Sequence, residues 1–187
     1  MTDELDPLRD LRPDRDEYAE PNDPSALARE RDRLMSVIEP EQTNPTWKHM
    51  PSIYPRLAYE DEVAALEFLT RAFGFVERRE SRMDADEEWG MLAWLEYGDG
   101  IVMIGRAEHD VHGLYAPRET NHPSCMINVA VDDVDAHYER AKREGARIVL
   151  ELEDAMYGYR RYEALDPQGH RWHFTESLEH VRQRRGE

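Results

Sequence analysis

The sequence is poor in cysteine and in long apolar runs. Cys125 is the one cysteine in 187 residues, so an intrachain disulfide is excluded. We expect its thiol to face the helix side of a strand, as a small buried apolar residue. No apolar run approaches the roughly 20 residues that a membrane-spanning helix needs. The opening residues, MTDELDPLRD, lack the basic and apolar regions of a signal peptide. These absences predict a cytoplasmic protein without a membrane segment.

Basic charge is also scarce. The chain has 24 lysines and arginines against 41 aspartates and glutamates, which gives a formal net charge of −17 at pH 7. A field of this sign repels nucleic-acid phosphates and anionic lipid headgroups. We therefore expect neither nucleic acid nor a membrane surface as a partner.

Residues 1–46 form a segment rich in acidic residues, arginine and proline but poor in large apolar side chains. Such a composition cannot offset the entropy of ordering a core. Within it, Asp23 as N-cap, Pro24 at the first helical position and Pro40 as a stop predict an amphipathic helix over about 24–39. Its apolar stripe can dock on its own domain or on a second subunit, which favours a homodimer. A solvated, frayed helix is the alternative.

A folded domain is predicted over 47–180, and its first module spans about 52–108. Asp61 caps a predicted helix that Gly74 ends. The helix, DEVAALEFLTRAFGF, follows the strand SIYPRLAYE and precedes three more strands, FVERRESRM, EWGMLAWLEYG and GIVMIGRAE.

The same order recurs over about 122–177, offset by 71 or 72 residues. Asp133 caps the helix DDVDAHYERAKREG, and Gly145 ends it. The strand SCMINVAV precedes this helix, and the strands RIVLELED, YRRYEAL and HRWHFTE follow it. The repeat predicts an α+β fold of two tandem βαβββ modules forming a curved eight-stranded mixed sheet, with helices on one face and a cleft on the other. Residues 181–187 are interpreted as a charged tail.

Three motifs carry a family resemblance: AALEFLTRAFGF, VDDVDAHYERAKREGA and YGYRRYEALDPQGHRWHF. With them, the chain resembles the vicinal oxygen chelate superfamily, in its glyoxalase and bleomycin-resistance branch, over about residues 52–177. That fold hosts metal-dependent isomerases, dioxygenases and epimerases as well as metal-free drug-binding proteins. The resemblance therefore implies a fold more strongly than a function.

The resemblance also implies where a metal would lie. Metal-using members draw four ligands from the first, fourth, fifth and eighth strands, and the motifs place Tyr54, Ile104, Met126 and His173 there. Ile104 has no donor atom, Met126 offers a thioether suited to soft copper, and neutral Tyr54 binds metals poorly. His173 alone is a good ligand, so we expect no metal and no other cofactor.

The family's inward face and strand alternation predict the residues that line the cleft. Trp172 and Phe174 should instead pack beneath the second helix. The facing of Trp89, Tyr157, Tyr159 and Tyr162 is left open, as is whether the arginines contact a ligand or pair with glutamates on neighbouring strands. The predicted ligand-binding residues are Tyr54, Arg56, Trp94, Ile104, Met126, Asn128, Arg171 and His173.

An apolar, aromatic cleft of this kind predicts metal-independent binding of a small aromatic or amphipathic organic molecule. This is bleomycin-resistance-like binding or sequestration, with a role in antibiotic resistance. One alternative is a lyase, isomerase or dioxygenase-type enzyme acting on a small oxygenated metabolite, with His173 and Tyr54 as candidate acid–base groups. Another is a protein-interaction module that uses the N-terminal extension. The sequence identifies no particular ligand.

Overall fold

The computed structural model describes residues 50–84, 90–120 and 125–187, together with Ala28. Apart from Ala28, the predicted extension 1–46 and its helix 24–39 lie outside the described residues. The chain divides into two compact units, 1–43 with 108–114 and 44–107 with 115–187. The second unit holds both predicted modules.

Local signals in the first module produce the predicted order of elements. Asp61 caps its helix by accepting a hydrogen bond from the backbone N–H of Ala64 at 2.9 Å, and Gly74 ends it with φ 76°. The elements are β1 (Arg56–Tyr59), α1 (Glu62–Phe68, continued by the π-helical turn Leu69–Phe73), β2 (Val76–Glu77), β3 (Leu92–Tyr97) and β4 (Gly100–Arg106).

The second module repeats the arrangement after two short helices, α2 (His109–His112) and α3 (Pro117–Thr120). α2 belongs to the smaller unit. The module's elements are β5 (Met126–Ala130), α4 (Val134–Arg143), β6 (Arg147–Ala155), β7 (Tyr159–Leu165), β8 (Arg171–Ser177) and α5 (Leu178–Arg185). None of the helices in the described ranges has both the length and the apolarity needed to cross a membrane.

The predicted α+β fold of two βαβββ modules is confirmed, and its eight strands form two four-stranded mixed sheets. The first sheet has the order β1-β4-β3-β2 and the second the order β5-β8-β7-β6. In each sheet the first and last strands of the module pair in parallel, and the other pairs are antiparallel. β2 has only two residues, because the 3₁₀ turn Arg79–Ser81 interrupts the predicted strand.

One buried core lies against the helix face of both sheets. Phe73, at the end of the π-helical turn, packs against Phe174 and Trp172 with ring centroids 4.8 and 5.6 Å apart. Trp172 and Phe174 are fully buried, and the Phe174 ring lies 4.3 Å from the His137 ring of α4, the helix beneath which both were predicted to pack. Aromatic contacts of this kind stabilise a core beyond simple burial.

The turn between β7 and β8 joins the two modules through Asp166. One carboxylate oxygen accepts hydrogen bonds from the Tyr59 hydroxyl at 2.8 Å and the Trp172 indole at 3.1 Å. The other accepts the backbone N–H groups of Gln168 and His170, both at 3.0 Å. Burial, together with the Asp166 carboxylate, raises the pKa of the Tyr59 hydroxyl well above its usual value. The turn therefore holds β1 against the second module.

The C-terminal residues form helix α5 rather than the predicted tail from residue 181. The Ser177 side chain caps the helix by accepting the His180 backbone N–H at 3.1 Å. Arg184 then pairs with buried Glu176 and with Asp135, both at 3.0 Å. Buried carboxylates need such partners, so the charged segment is ordered by the module that it packs against.

Candidate functional site

Strand alternation divides the second sheet into two faces. Trp172 and Phe174 lie in the core, so His173 between them points to the opposite face, which we call the open face. Asn128 on β5 and Glu163 on β7 lie opposite His173 in the strand register, so the three share this face. The open face also carries Met126, Ala130, Arg171, Thr175, Tyr159, Arg161 and Leu165.

His173 lies at the centre of this open face. It is 8% exposed, and its Nδ1 lies 2.7 Å from Oδ1 of Asn128. Since an amide oxygen only accepts hydrogen bonds, Nδ1 must carry the proton and donate it. Nε2 is then an acceptor, and it is buried without a hydrogen-bond partner among the residues that the structure describes. A buried unsatisfied acceptor costs about 1–3 kcal/mol, which makes Nε2 a place where a ligand can gain affinity.

The charge state of His173 follows from its surroundings. Burial lowers the pKa of the imidazole below its usual value, because a charged ring loses its hydration there. The nearby Glu163 carboxylate opposes this shift, while Arg161 and Arg171 add to it. The net lowering keeps His173 neutral at pH 7, where it can accept a proton or a hydrogen bond.

The arginines of this face are paired with glutamates. Arg171 donates two hydrogen bonds to Glu163, at 2.5 and 2.8 Å. Arg161 does the same to Glu153, at 2.8 and 3.0 Å. The sequence left open whether the arginines contact a ligand or pair with glutamates on neighbouring strands. Arg171 and Arg161 pair with glutamates.

Exposed aromatic side chains continue the open face at the β6–β7 turn. Tyr157 and Tyr159 are 58% and 44% exposed, with ring centroids 6.0 Å apart. The Arg161 guanidinium lies over the Tyr157 ring, 5.3 Å from its centroid. Tyr162 is instead fully buried in the core, and Trp89 lies outside the described residues.

The open face of the first sheet carries the remaining predicted residues. Trp94 lies between core residues on β3 and opposite Met103 on β4, whose other neighbour is Arg56 on β1. The Trp94 indole N–H is buried and has no hydrogen-bond partner within the described ranges. Tyr54 precedes β1, and alternation places it on the side of Arg56. The predicted site residues are thus distributed over two sheets.

Ile104 was predicted to line the cleft, and the structure places it elsewhere. Its side chain is fully buried in the core, on the helix face of β4. Because neighbouring residues of a strand face opposite sides, a one-residue shift brings Met103 to the open face instead.

The predicted burial of Cys125 against the helices is also wrong, because its side chain is exposed. It precedes β5, which is an edge strand of its sheet, so little of the chain covers it.

A comparison with known proteins adds the family. The model of the Glyoxalase/Bleomycin resistance protein/Dioxygenase superfamily matches residues 54–174, which include nearly all of both modules. The chain belongs to this superfamily.

Individual proteins are similar to this chain over about two thirds of its length. TioX from Micromonospora sp. ML1 is 32% identical, with a TM-score of 0.51, over 68% of this chain and 96% of that protein. The uncharacterized protein Mb0911c of Mycobacterium bovis is 29% identical over 133 residues, 70% of this chain and 86% of that protein. A superfamily structure from Burkholderia phytofirmans PsJN shares the fold at 20% identity, with a TM-score of 0.52 over 67% of this chain and 97% of that one.

Metal-using members of the superfamily hold an ion between their modules, but the side chains here do not fit one. Of the four positions that the resemblance implies, Ile104 is in the core and His173 alone has a strong donor. Nε2 of His173 is the atom that would bind an ion, and no group of three histidine, cysteine, aspartate or glutamate side chains able to hold one occurs among the described residues. We derive no chemistry through a metal at this site.

Glu163, Arg161 and Tyr159 belong to the open face but were not predicted from the sequence to line it. These residues alternate along β7 with Arg160, Tyr162 and Ala164, so the pattern itself was visible. The sequence did not show which of the two alternating sets faces the core, because each set contains both polar and apolar side chains. The pairing of β7 with β8 shows which set faces the core, since Tyr162 lies opposite the core residue Phe174. Glu163, Arg161 and Tyr159 therefore lie on the open face.

Proposed function

We propose that this protein binds a small aromatic or amphipathic organic molecule, without a metal, on the open face of the second sheet. The observation that carries the proposal is the buried, unsatisfied Nε2 of His173 in a face that also exposes apolar surface. Met126 is 41% exposed on β5, and Tyr159 is 44% exposed on β7. A planar molecule that covers these side chains would gain contact area as well as a hydrogen bond.

Rough magnitudes support binding of moderate strength. Covering about 100 Å² of apolar surface contributes on the order of 2–3 kcal/mol, and satisfying a buried acceptor contributes about 1–3 kcal/mol more. Ordering the ligand and the flanking side chains opposes both terms. We expect dissociation constants between about 1 μM and 1 mM for small aromatic probes.

The finer proposal is sequestration of such a molecule by a cytoplasmic homodimer, as in the bleomycin-resistance proteins of this superfamily. A drug held in this way would be kept from its target, and on that basis we propose a role in antibiotic resistance. Light scattering on the full chain tests the dimer directly, and a mass corresponding to a single chain would contradict it.

A thermal-shift and tryptophan-fluorescence screen of planar aromatic compounds tests the binding itself. We expect saturable binding of naphthalene-sized probes that is unchanged after treatment with a chelator. Absence of binding across such a set, or its loss with the chelator, would contradict the proposal.

Two methionine variants provide a matched test of the location. Met126→Ala removes a thioether from the open face and should weaken binding about fivefold, the equivalent of about 1 kcal/mol. Met156→Ala removes the same group from the fully exposed β6–β7 turn and should leave binding unchanged. Equal effects of the two variants would place the ligand elsewhere.

A further inference from the structure

We infer that the ligand of this open face is a hydroxyl-bearing aromatic molecule of the phenol class, which donates its O–H to Nε2 of His173. The inference rests on the proposed function and adds the chemical group that is recognised. It assigns His173 as the hydrogen-bond acceptor and Asn128 as the residue that positions it.

The hydrogen bond to Asn128 fixes the tautomer of His173. Asn128 on β5 and His173 on β8 occupy paired positions on neighbouring parallel strands, so the sheet register sets the contact between their side chains. The 2.7 Å contact with the Asn128 amide oxygen requires the proton on Nδ1. Nε2 therefore presents a lone pair and no hydrogen.

The part of the chain that the structure describes offers no donor to that lone pair. Nε2 has no partner among the described residues. The nearby guanidinium groups are already engaged, Arg171 with Glu163 and Arg161 with Glu153. The two arginine side chains are 43% and 25% exposed, so they can move aside for a ligand while keeping contact with water.

A ligand completes this arrangement only if it brings a hydrogen-bond donor to Nε2. A phenolic O–H is a strong donor, and its ring can lie over the apolar side chains of the same face. An aromatic ether has the same ring but no proton to donate, and an ionised aromatic carboxylate has none either at neutral pH. An anion would also need free positive charge, whereas the guanidinium groups next to His173 are neutralised by glutamates.

Three probes of one shape test the inference on the full chain: 2-naphthol, 2-methoxynaphthalene and 2-naphthoate. At pH 8 we expect 2-naphthol to bind about tenfold more tightly than the ether and the carboxylate, the equivalent of one hydrogen bond. Equal binding of the naphthol and the ether would overturn the inference and leave the proposed function standing. Tightest binding of the carboxylate would also overturn it, and binding of none would overturn both.

Variants of His173 and Asn128 separate recognition from a structural role. His173→Phe keeps an aromatic ring and should reduce 2-naphthol affinity about tenfold while leaving the ether unchanged. Asn128→Asp retains an acceptor for Nδ1–H and should keep the preference for the naphthol. Asn128→Leu removes that acceptor and should reduce the preference to about threefold or less. An undiminished preference in His173→Phe would contradict the inference.

A long-range ¹H–¹⁵N spectrum of the histidines gives a readout that does not depend on binding. We expect Nε2 of His173 to be of the unprotonated, pyridine type in the free protein. Its ¹⁵N resonance should move upfield on addition of 2-naphthol, because the neutral nitrogen gains a hydrogen bond without taking up the proton. A protonated Nε2 in the free protein at pH 8 would overturn the inference even if naphthalenes bind.

Discussion

The two modules share their local folding signals but differ in their open faces. Asp61 and Asp133 cap the two helices in the same way, each accepting a backbone N–H at 2.9 Å. On the open face, the first sheet buries Trp94, whereas the second exposes Met126 and Asn128 around His173. The two modules therefore share their helix caps but differ in the side chains that can meet a ligand. The functional hypothesis depends on the second module.

We expect the largest difference between the modules in how much the turn before the last strand contributes to the free energy of unfolding. Asp166→Ala removes a carboxylate that accepts four hydrogen bonds in the second module. We expect a loss of about 4 kcal/mol in the free energy of unfolding, because buried donors lose their partner. Asp99→Ala, at the exposed turn of the first module, should cost less than about 1 kcal/mol. Urea unfolding measures both, and similar losses would contradict the account of the turn.

The next effect tests which side of β4 belongs to the core. Ile104→Ala should lower the free energy of unfolding by about 3 kcal/mol, because it leaves a cavity among fully buried side chains. Met103→Ala, one residue away on the open face of the first sheet, should cost about 1 kcal/mol because Met103 is only partly buried. A larger loss for Met103→Ala than for Ile104→Ala would reverse the assignment of the two faces.

A smaller, pH-dependent effect distinguishes the two helices. His137 on α4 occupies the place that Ala65 has on α1, and burial lowers its pKa to about 4. The unfolded chain binds this proton near pH 6.5, so His137 contributes full stability above that pH and loses it as the pH falls towards 4. We expect a loss of about 2 kcal/mol between pH 7 and pH 5.

The control for this effect is His137→Gln, whose side chain does not titrate. His137 contacts the Tyr162 hydroxyl at 2.6 Å and the Phe73 carbonyl at 2.9 Å, and the glutamine amide can still hydrogen-bond to both. Urea unfolding at a series of pH values compares the variant with the unmodified chain. The difference between their pH profiles isolates His137 from other titrating groups, such as His170. Parallel profiles from pH 7 to pH 5 would show that His137 does not carry this dependence.

The fold could be predicted because its signals are local. The aspartate caps, the glycines after each helix and the 71–72-residue offset are all visible in the chain. The C-terminal helix was missed because its charged residues show no apolar stripe. Arg184 pairs with Asp135, 49 positions away, and local patterns cannot reveal such a contact.

The site could be predicted only in part. Met126, Asn128, Arg171 and His173 do share one face, as alternation along β5 and β8 implies. The apolar run GIVMIG in β4 gives no contrast between its two faces, so Ile104 was placed on the wrong side. The pairing of Arg171 with Glu163 and the unsatisfied Nε2 depend on neighbours from other strands.

The most direct test of a ligand on the second open face is an NMR experiment on methionine methyl groups. With methyl-labelled methionine and saturating 2-naphthol in the presence of a chelator, we expect nuclear Overhauser contacts between the naphthalene ring and the Met126 methyl. The fully exposed Met156 should show none. Contacts to other methionine methyls with none to Met126 would show that the ligand does not lie on the open face of the second sheet.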